Sequence, residues 1–226
     1  MHSNETWTRT DLGTPIALFS SHSLEEISTL RPILLMGGVH GDEPLGVHLA
    51  QQTLKLLEKD LRNKILVPWV LIPCLNPDGY KNNTRVNGRG VDLNRNYPSK
   101  SWSPTAEKER YNPGPHPASE AETKAIVGLI EKTKPRLIIH CHSWEPMVVC
   151  AGEPGLNDAE RLSRSSGYIV KPEIGYPTPG SLSQFGWWDN KIPVICIEEE
   201  DDVEEASVWP RFEKGMREIF LDASPR

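Results

Sequence analysis

Short apolar runs alternate with segments of helical periodicity along most of this chain, and that alternation is the strongest constraint on how it can fold. Runs of strand length stand at Ile33 to Met36, Ile65 to Ile72, Leu137 to Cys141, Met147 to Ala151 and Val194 to Ile197, several entered from a proline or a charged residue. Between them, leucines at helical spacing run from Glu43 to Asp60, and Ser119 with Glu122 forms a capping box opening a helix to about Thr133. Leu156 to Ser166 predicts a helix closed by Gly167, and Ser181 to Asn190 and Val208 to Leu221 predict two more. Trp187 and Trp188 are expected to pack into the core from the first of these. Strands that alternate with helices imply an α/β fold, a mixed, mostly parallel twisted sheet with helices on both faces. With 226 residues, the expectation is one domain over 1–226. Such sheets take ligands at the carboxyl ends of their strands, so chemistry is sought there.

Composition narrows the function classes. Hydrophobic residues make up 37% and charged residues 25%, and no stretch approaches the roughly 18 apolar residues of a membrane span. A net charge of −6 without a basic run argues against nucleic acid as partner. Met1 to Gly13 is polar and lacks the basic-then-apolar order of a secretory signal, so a cytoplasmic protein is expected. Cys74, Cys141, Cys150 and Cys196 are unpatterned, and three sit in apolar runs, so free thiols are expected. Small molecules are the expected partners.

The stretch from Asn76 to Pro117 is long, polar and rich in Gly, Pro, Asn and Arg. Compact domains seldom carry such a loop without a use for it.

After the first strand comes Gly37-Gly38-Val39-His40-Gly41-Asp42-Glu43, which sets an imidazole and a carboxylate three apart at a strand-to-helix turn. Both can face one point, and catalytic zinc sites have three protein ligands of this kind plus an open position. His-x-x-Glu alone is a weak signal, equally compatible with a solvated turn. A third ligand is offered by Leu137-Ile138-Ile139-His140-Cys141-His142. Alternation puts His140 and His142 on one face and Cys141 on the other. The strand's carboxyl end favours His142, leaving His140 as a core histidine or a partner to the ligands.

Several further strings are present: Asn76-Pro-Asp-Gly79, Thr84-Arg85-Val86-Asn87, Gly90-Val-Asp-Leu-Asn94-Arg95-Asn96 and His142-Ser143. Together with His40-Gly-Asp-Glu43 they resemble the zinc carboxypeptidase family over roughly Ile33 to Glu198. The resemblance implies one zinc ion per chain held by His40, Glu43 and His142. It also implies that Asn94 and Arg95 grip the substrate's terminal carboxylate and that Arg85 polarises the scissile carbonyl. A guanidinium suits both tasks, through paired hydrogen bonds in the first and charge in the second. Arg89 is taken as structural. In the resembling enzymes a glutamate ending an apolar strand activates the attacking water and then protonates the leaving amine. Glu198 in Pro193-Val-Ile-Cys-Ile-Glu198 matches it, although Glu199 and Glu200 follow and Glu200 shares its face. Gly175-Tyr176-Pro-Thr-Pro-Gly180-Ser181 resembles the family's mobile tyrosine loop, with Tyr176 over the substrate.

Within the family the chain looks most like the short bacterial murein peptide amidases. Arg85-x-Asn-x-x-Gly-Val-Asp-Leu-Asn-Arg-Asn, Ser119-Glu-x-Glu-Thr and Gly175-Tyr-x-Thr-Pro-Gly-Ser carry that likeness, while Ser143-Trp144 and Glu199-Glu200 depart from it. The expected reaction is zinc-dependent hydrolysis of the bond to a carboxylate-bearing terminal residue. The substrate it suggests is the γ-D-glutamyl to meso-diaminopimelate bond of cell-wall peptides. Two alternatives stand beside it, an N-acyl amino acid deacylase of the aspartoacylase and succinylglutamate desuccinylase type, and a non-catalytic peptide-binding relative.

Overall fold

The computed structural model describes residues 1–60 and 67–221. Eight strands form one sheet: β1 (His2–Arg9), β2 (Pro15–Ser20), β3 (Ile33–Met36), β4 (Trp69–Ile72), β5 (Leu137–Trp144), β6 (Met147–Ala151), β7 (Ile169–Lys171) and β8 (Val194–Glu200). Their order is β1-β2-β4-β3-β5-β8-β6-β7. The pairs β3/β4, β3/β5, β5/β8 and β6/β7 are parallel, and β1/β2, β2/β4 and β6/β8 antiparallel. The sheet is thus mixed and mostly parallel, as its apolar runs predict.

The central strands are apolar on both faces because both are covered. On one face, Ile33, Leu35, Ile139, Ile195 and Ile197 pack against α1 (Pro44–Asp60), α4 (Leu156–Ser166) and α5 (Glu205–Leu221) through Leu49, Leu162 and Phe212. On the other, Leu34, Met36, Val70 and Ile138 meet Ile126, Leu129 and Ile130 of α3 (Ala121–Thr133), with Leu93 and Tyr97 from the polar loop, which opens on the short α2 (Pro77–Asn82). Each such buried aliphatic side chain contributes about 1.5–3 kcal/mol of transfer free energy. No described helix is long and apolar enough to cross a membrane. All four cysteines are unpaired.

Several local expectations change. The hairpin of β1 and β2 carried no apolar signal, because β1 is an edge strand whose side chains are almost all exposed. β4 starts at Trp69, after Pro68, which has no N–H for the ladder; Ile65 and Leu66 lie outside the described residues. The capping box at Ser119 does not form. The Ser119 hydroxyl instead donates to Glu120 Oε1 at 2.7 Å, and Glu122 accepts from Asn87 Nδ2 at 3.3 Å. Ser181 to Asn190 holds a wider, π-helical turn over Gln184–Asp189, closed by Asn190 Nδ2 donating to the Phe185 carbonyl at 2.7 Å. That turn sends Trp187 half-inward and leaves Trp188 57% exposed, so Trp188 is not a core residue. β5 and β8 run past their apolar residues to Trp144 and Glu200. His140, His142 and Glu198 are consequently strand residues, with His142 directly beside Glu198 in the ladder.

Candidate active site

The turn after β3 is compressed until only glycine fits. Gly38 has φ +60°, and a Cβ on Gly41 would lie 2.0 Å from the Gly79 carbonyl carbon. This tight passage delivers His40 and Glu43 to the carboxyl edge of the sheet, where His40 Nδ1 lies 2.7 Å from Glu43 Oε1. From β5, His142 Nδ1 comes within 2.7 Å of Glu43 Oε2 and 2.9 Å of His40 Nδ1. All three residues are buried. Two imidazole nitrogens and a carboxylate turned toward one another form the donor set of a three-ligand zinc site.

The remaining imidazole nitrogens are also engaged. His40 Nε2 meets Asp92 Oδ1 at 3.1 Å, and His142 Nε2 meets His140 Nδ1 at 2.8 Å. With Nε2 occupied in both rings, Nδ1 is left to face a metal, the usual way a second layer fixes ligand histidines. The donor set and its orientation therefore fit zinc. Burial opposes ionisation of Asp92, but the nearby charges of His40, Arg85 and Arg95 outweigh it and hold the carboxyl below its usual range.

Arg85 reaches this cluster from the polar loop, its Nε donating to Asp92 Oδ2 at 2.9 Å and its Nη1 to Glu43 Oε1 at 3.3 Å. Arg95 is 6% exposed. Its Nη1 donates to the Asn94 carbonyl at 2.7 Å, and no carboxylate among the described residues pairs with it. Asn94 is aimed by the Leu182 N–H, which donates to Oδ1 at 2.9 Å. Glu198 lies at the end of β8 beside His142, and burial together with the Glu43 carboxylate pushes its carboxyl up to about 8.

Apart from the fully buried Asp92, these side chains line one cavity of about 1170 Å³ that also includes Tyr111, Trp144 and Tyr176. Tyr176 stands edge-on to Trp144 with ring centroids 5.4 Å apart. Glu199 points to the opposite face of the sheet, where Arg211 and Tyr168 hold it, and Glu200 is exposed. Arg89 lies outside the cavity, paired with Glu120 at 3.4 Å and Asp11 at 3.9 Å. The sequence alone did not single out Asp92 or Tyr111. Asp92 sits inside a quoted motif, so a search for carboxylates that could brace a ligand histidine would have reached it.

A sequence model described as zinc carboxypeptidase matches residues 5–163. The chain belongs to the zinc carboxypeptidase family. It is a hydrolytic metallopeptidase with a zinc cofactor, and its sheet has the carboxypeptidase fold. Murein peptide amidase A of Escherichia coli K12 is 31% identical over 208 residues, covering 87% of this chain and 80% of that one. The protein of the same name from Vibrio campbellii is 27% identical over 199 residues, covering 82% of this chain and 74% of that one. Among solved structures, the murein-tripeptide amidase of Escherichia coli O157 superposes with a TM-score of 0.77 at 24% identity, covering 100% of this chain and 94% of that one. Carboxypeptidase A of Helicoverpa armigera gives 0.76 at 18% identity, with 96% and 68% covered.

Proposed function

We propose that this carboxypeptidase-family enzyme cleaves the γ-D-glutamyl to meso-diaminopimelate bond of cell-wall peptides, working in the cytoplasm as a single catalytic domain over 1–226. The observation that carries its carboxylate specificity is Arg95, a buried cation on the cavity wall with no carboxylate within salt-bridge distance among the described residues. Buried charges are almost always paired, so a guanidinium left open beside the ligand cluster is built for an anion that arrives with the substrate. The murein assignment is supported by the similarity to murein peptide amidases over most of the chain. Four unpaired cysteines suit a reducing compartment.

His40, Glu43 and His142 would hold the zinc ion, which supplies Lewis-acid polarisation of the scissile carbonyl and acidifies water near neutral pH. Asp92 and His140 keep the two imidazoles in the required orientation. The substrate's terminal carboxylate lies against the Arg95 fork, and Asn94 donates through its side-chain amide. This fixes the scissile bond near the ligands, and such positioning accounts for a large part of the rate. The Glu198 carboxylate takes a proton from the attacking water and delivers it to the departing amine. Arg85, next to Glu43, offsets the negative charge that grows on the carbonyl oxygen. Tyr176 and Trp144 close the mouth of the cavity over the peptide.

The test is mass spectrometry of products from a panel of cell-wall tripeptides and N-acyl amino acids. Release of free diaminopimelate from L-alanyl-γ-D-glutamyl-meso-diaminopimelate is the expected result. Turnover confined to N-acyl-aspartate or N-acyl-glutamate would overturn the assignment.

A further inference from the structure

We propose that Tyr111 is a positioning residue that holds Arg95 by its ring face and so keeps that guanidinium available for the substrate. The inference rests on Arg95 as the receptor of the terminal carboxylate. The Tyr111 ring collects three guanidiniums, with Cζ of Arg85, Arg95 and Arg110 at 5.2, 5.4 and 5.7 Å from its centroid. The ring stands half-buried on the cavity wall at the end of a single 3-10 turn, Glu109–Tyr111. Its backbone is pinned to the arginines' own segment. The Asp92 N–H donates to the Asn112 carbonyl at 2.8 Å, and Asn112 Nδ2 donates to the Gly90 carbonyl at 2.8 Å.

The arrangement solves a problem of competition. Like charges gathered around one point repel, and the usual remedy is a carboxylate. Arg85 has that remedy in Asp92 and Glu43. At Arg95 a carboxylate would occupy the N–H fork that the incoming peptide needs. An aromatic face attracts a cation through its quadrupole and uses none of its N–H groups. It steadies the charge and leaves the hydrogen bonds unspent. Arg85 is held without the ring, so loss of the ring falls on Arg95 and on binding, not on the Arg85 contribution to the chemical step. No hydrogen bond engages the Tyr111 hydroxyl among the described residues, so the face carries the effect.

The experiment compares Tyr111→Leu and Tyr111→Phe with the wild-type enzyme. Each zinc-loaded protein is assayed on a cell-wall tripeptide with a free terminal carboxylate and on its terminal amide. Tyr111→Leu should raise KM for the free acid about tenfold with kcat within about twofold, while Tyr111→Phe restores KM. On the amide the leucine variant should match the wild type. Tyr111→Phe as impaired as Tyr111→Leu would overturn the proposal, because the hydroxyl would then be the active feature. So would an unchanged KM, or equal losses on acid and amide. If Tyr111→Leu accumulates poorly or binds zinc weakly, Tyr111→Met carries the same comparison. Wild-type enzyme that turns over acid and amide equally would refute Arg95 as the carboxylate receptor before any variant is made.

Discussion

His40 Nε2 lies 3.1 Å from Asp92 Oδ1, although 52 positions separate the two residues in the chain. The other Asp92 oxygen accepts from Arg85 Nε at 2.9 Å, so one buried carboxylate orients both a candidate ligand and a candidate oxyanion donor. Asp92→Ala should therefore lower zinc affinity by about 10- to 100-fold, the range for partners of ligand histidines. Competition against a chelator of known affinity measures it. Affinity equal to wild type would show that the contact does not tune the metal.

Glu198→Gln should retain zinc and substrate binding and lose at least about a hundredfold in kcat, the low end for a positioned acid-base group. Glu200, exposed at the strand end, should tolerate the same change with most activity intact. Zinc content is measured alongside, since loss of metal in Glu198→Gln would make that residue a ligand and not a base.

Arg95→Ala should cost roughly 1.5–3 kcal/mol of transition-state stabilisation on a free-acid substrate, the worth of a charge-assisted pair. That is about ten- to a hundredfold in kcat/KM. The same variant should change little on the amidated substrate. A loss of equal size on both substrates would mean that Arg95 supports the cavity wall and does not bind the carboxylate.

Away from the cavity, burial pushes the Glu122 carboxyl up to about 7, with the charges of Glu120 and Asp11 adding to it. The unfolded chain has an ordinary glutamate near 4.3. Between these values the folded state binds more protons than the unfolded one, so this group costs stability progressively as pH rises from about 4.3 to 7. Glu122→Gln should flatten the decline in Tm across that window and raise Tm above wild type at pH 8. An unchanged slope in thermal melts at stepped pH would assign the decline to other groups.

What could be read from the sequence divides along a physical line. The parallel strands were visible because burial on both faces demands unbroken apolar runs, and His40, Glu43, His142 and Glu198 were visible because each stands where such a run ends. Structure brings these four to one edge of the sheet. His140 beside His142 was visible too, from the alternation of a single strand. Tyr111 and Asp92 were not visible in the same way. Their contacts cross the fold between segments that no periodicity links, and a polar loop carries no repeat by which to place them. The capping box failed for a related reason. Ser119 and Glu122 had better partners in Glu120 and Asn87 than the helix end offered.

β8 ends in Glu198, Glu199 and Glu200, and three identical residues make the strand end degenerate. A slide of one residue leaves a carboxylate at nearly every position that had one, and a slide of two even preserves which face it points to. Side-chain chemistry at the tip therefore cannot choose its own alignment. The choice is made upstream by Ile195 and Ile197 in the core and from behind by Arg211 and Tyr168, which grip the middle glutamate from the far side of the sheet. The last helix thus acts as a ratchet pawl on the strand that carries the proposed base. Changes at Arg211, a whole sheet's thickness from the peptide, would be expected to surface as a mixture of alignments at the cavity rather than as simple unfolding.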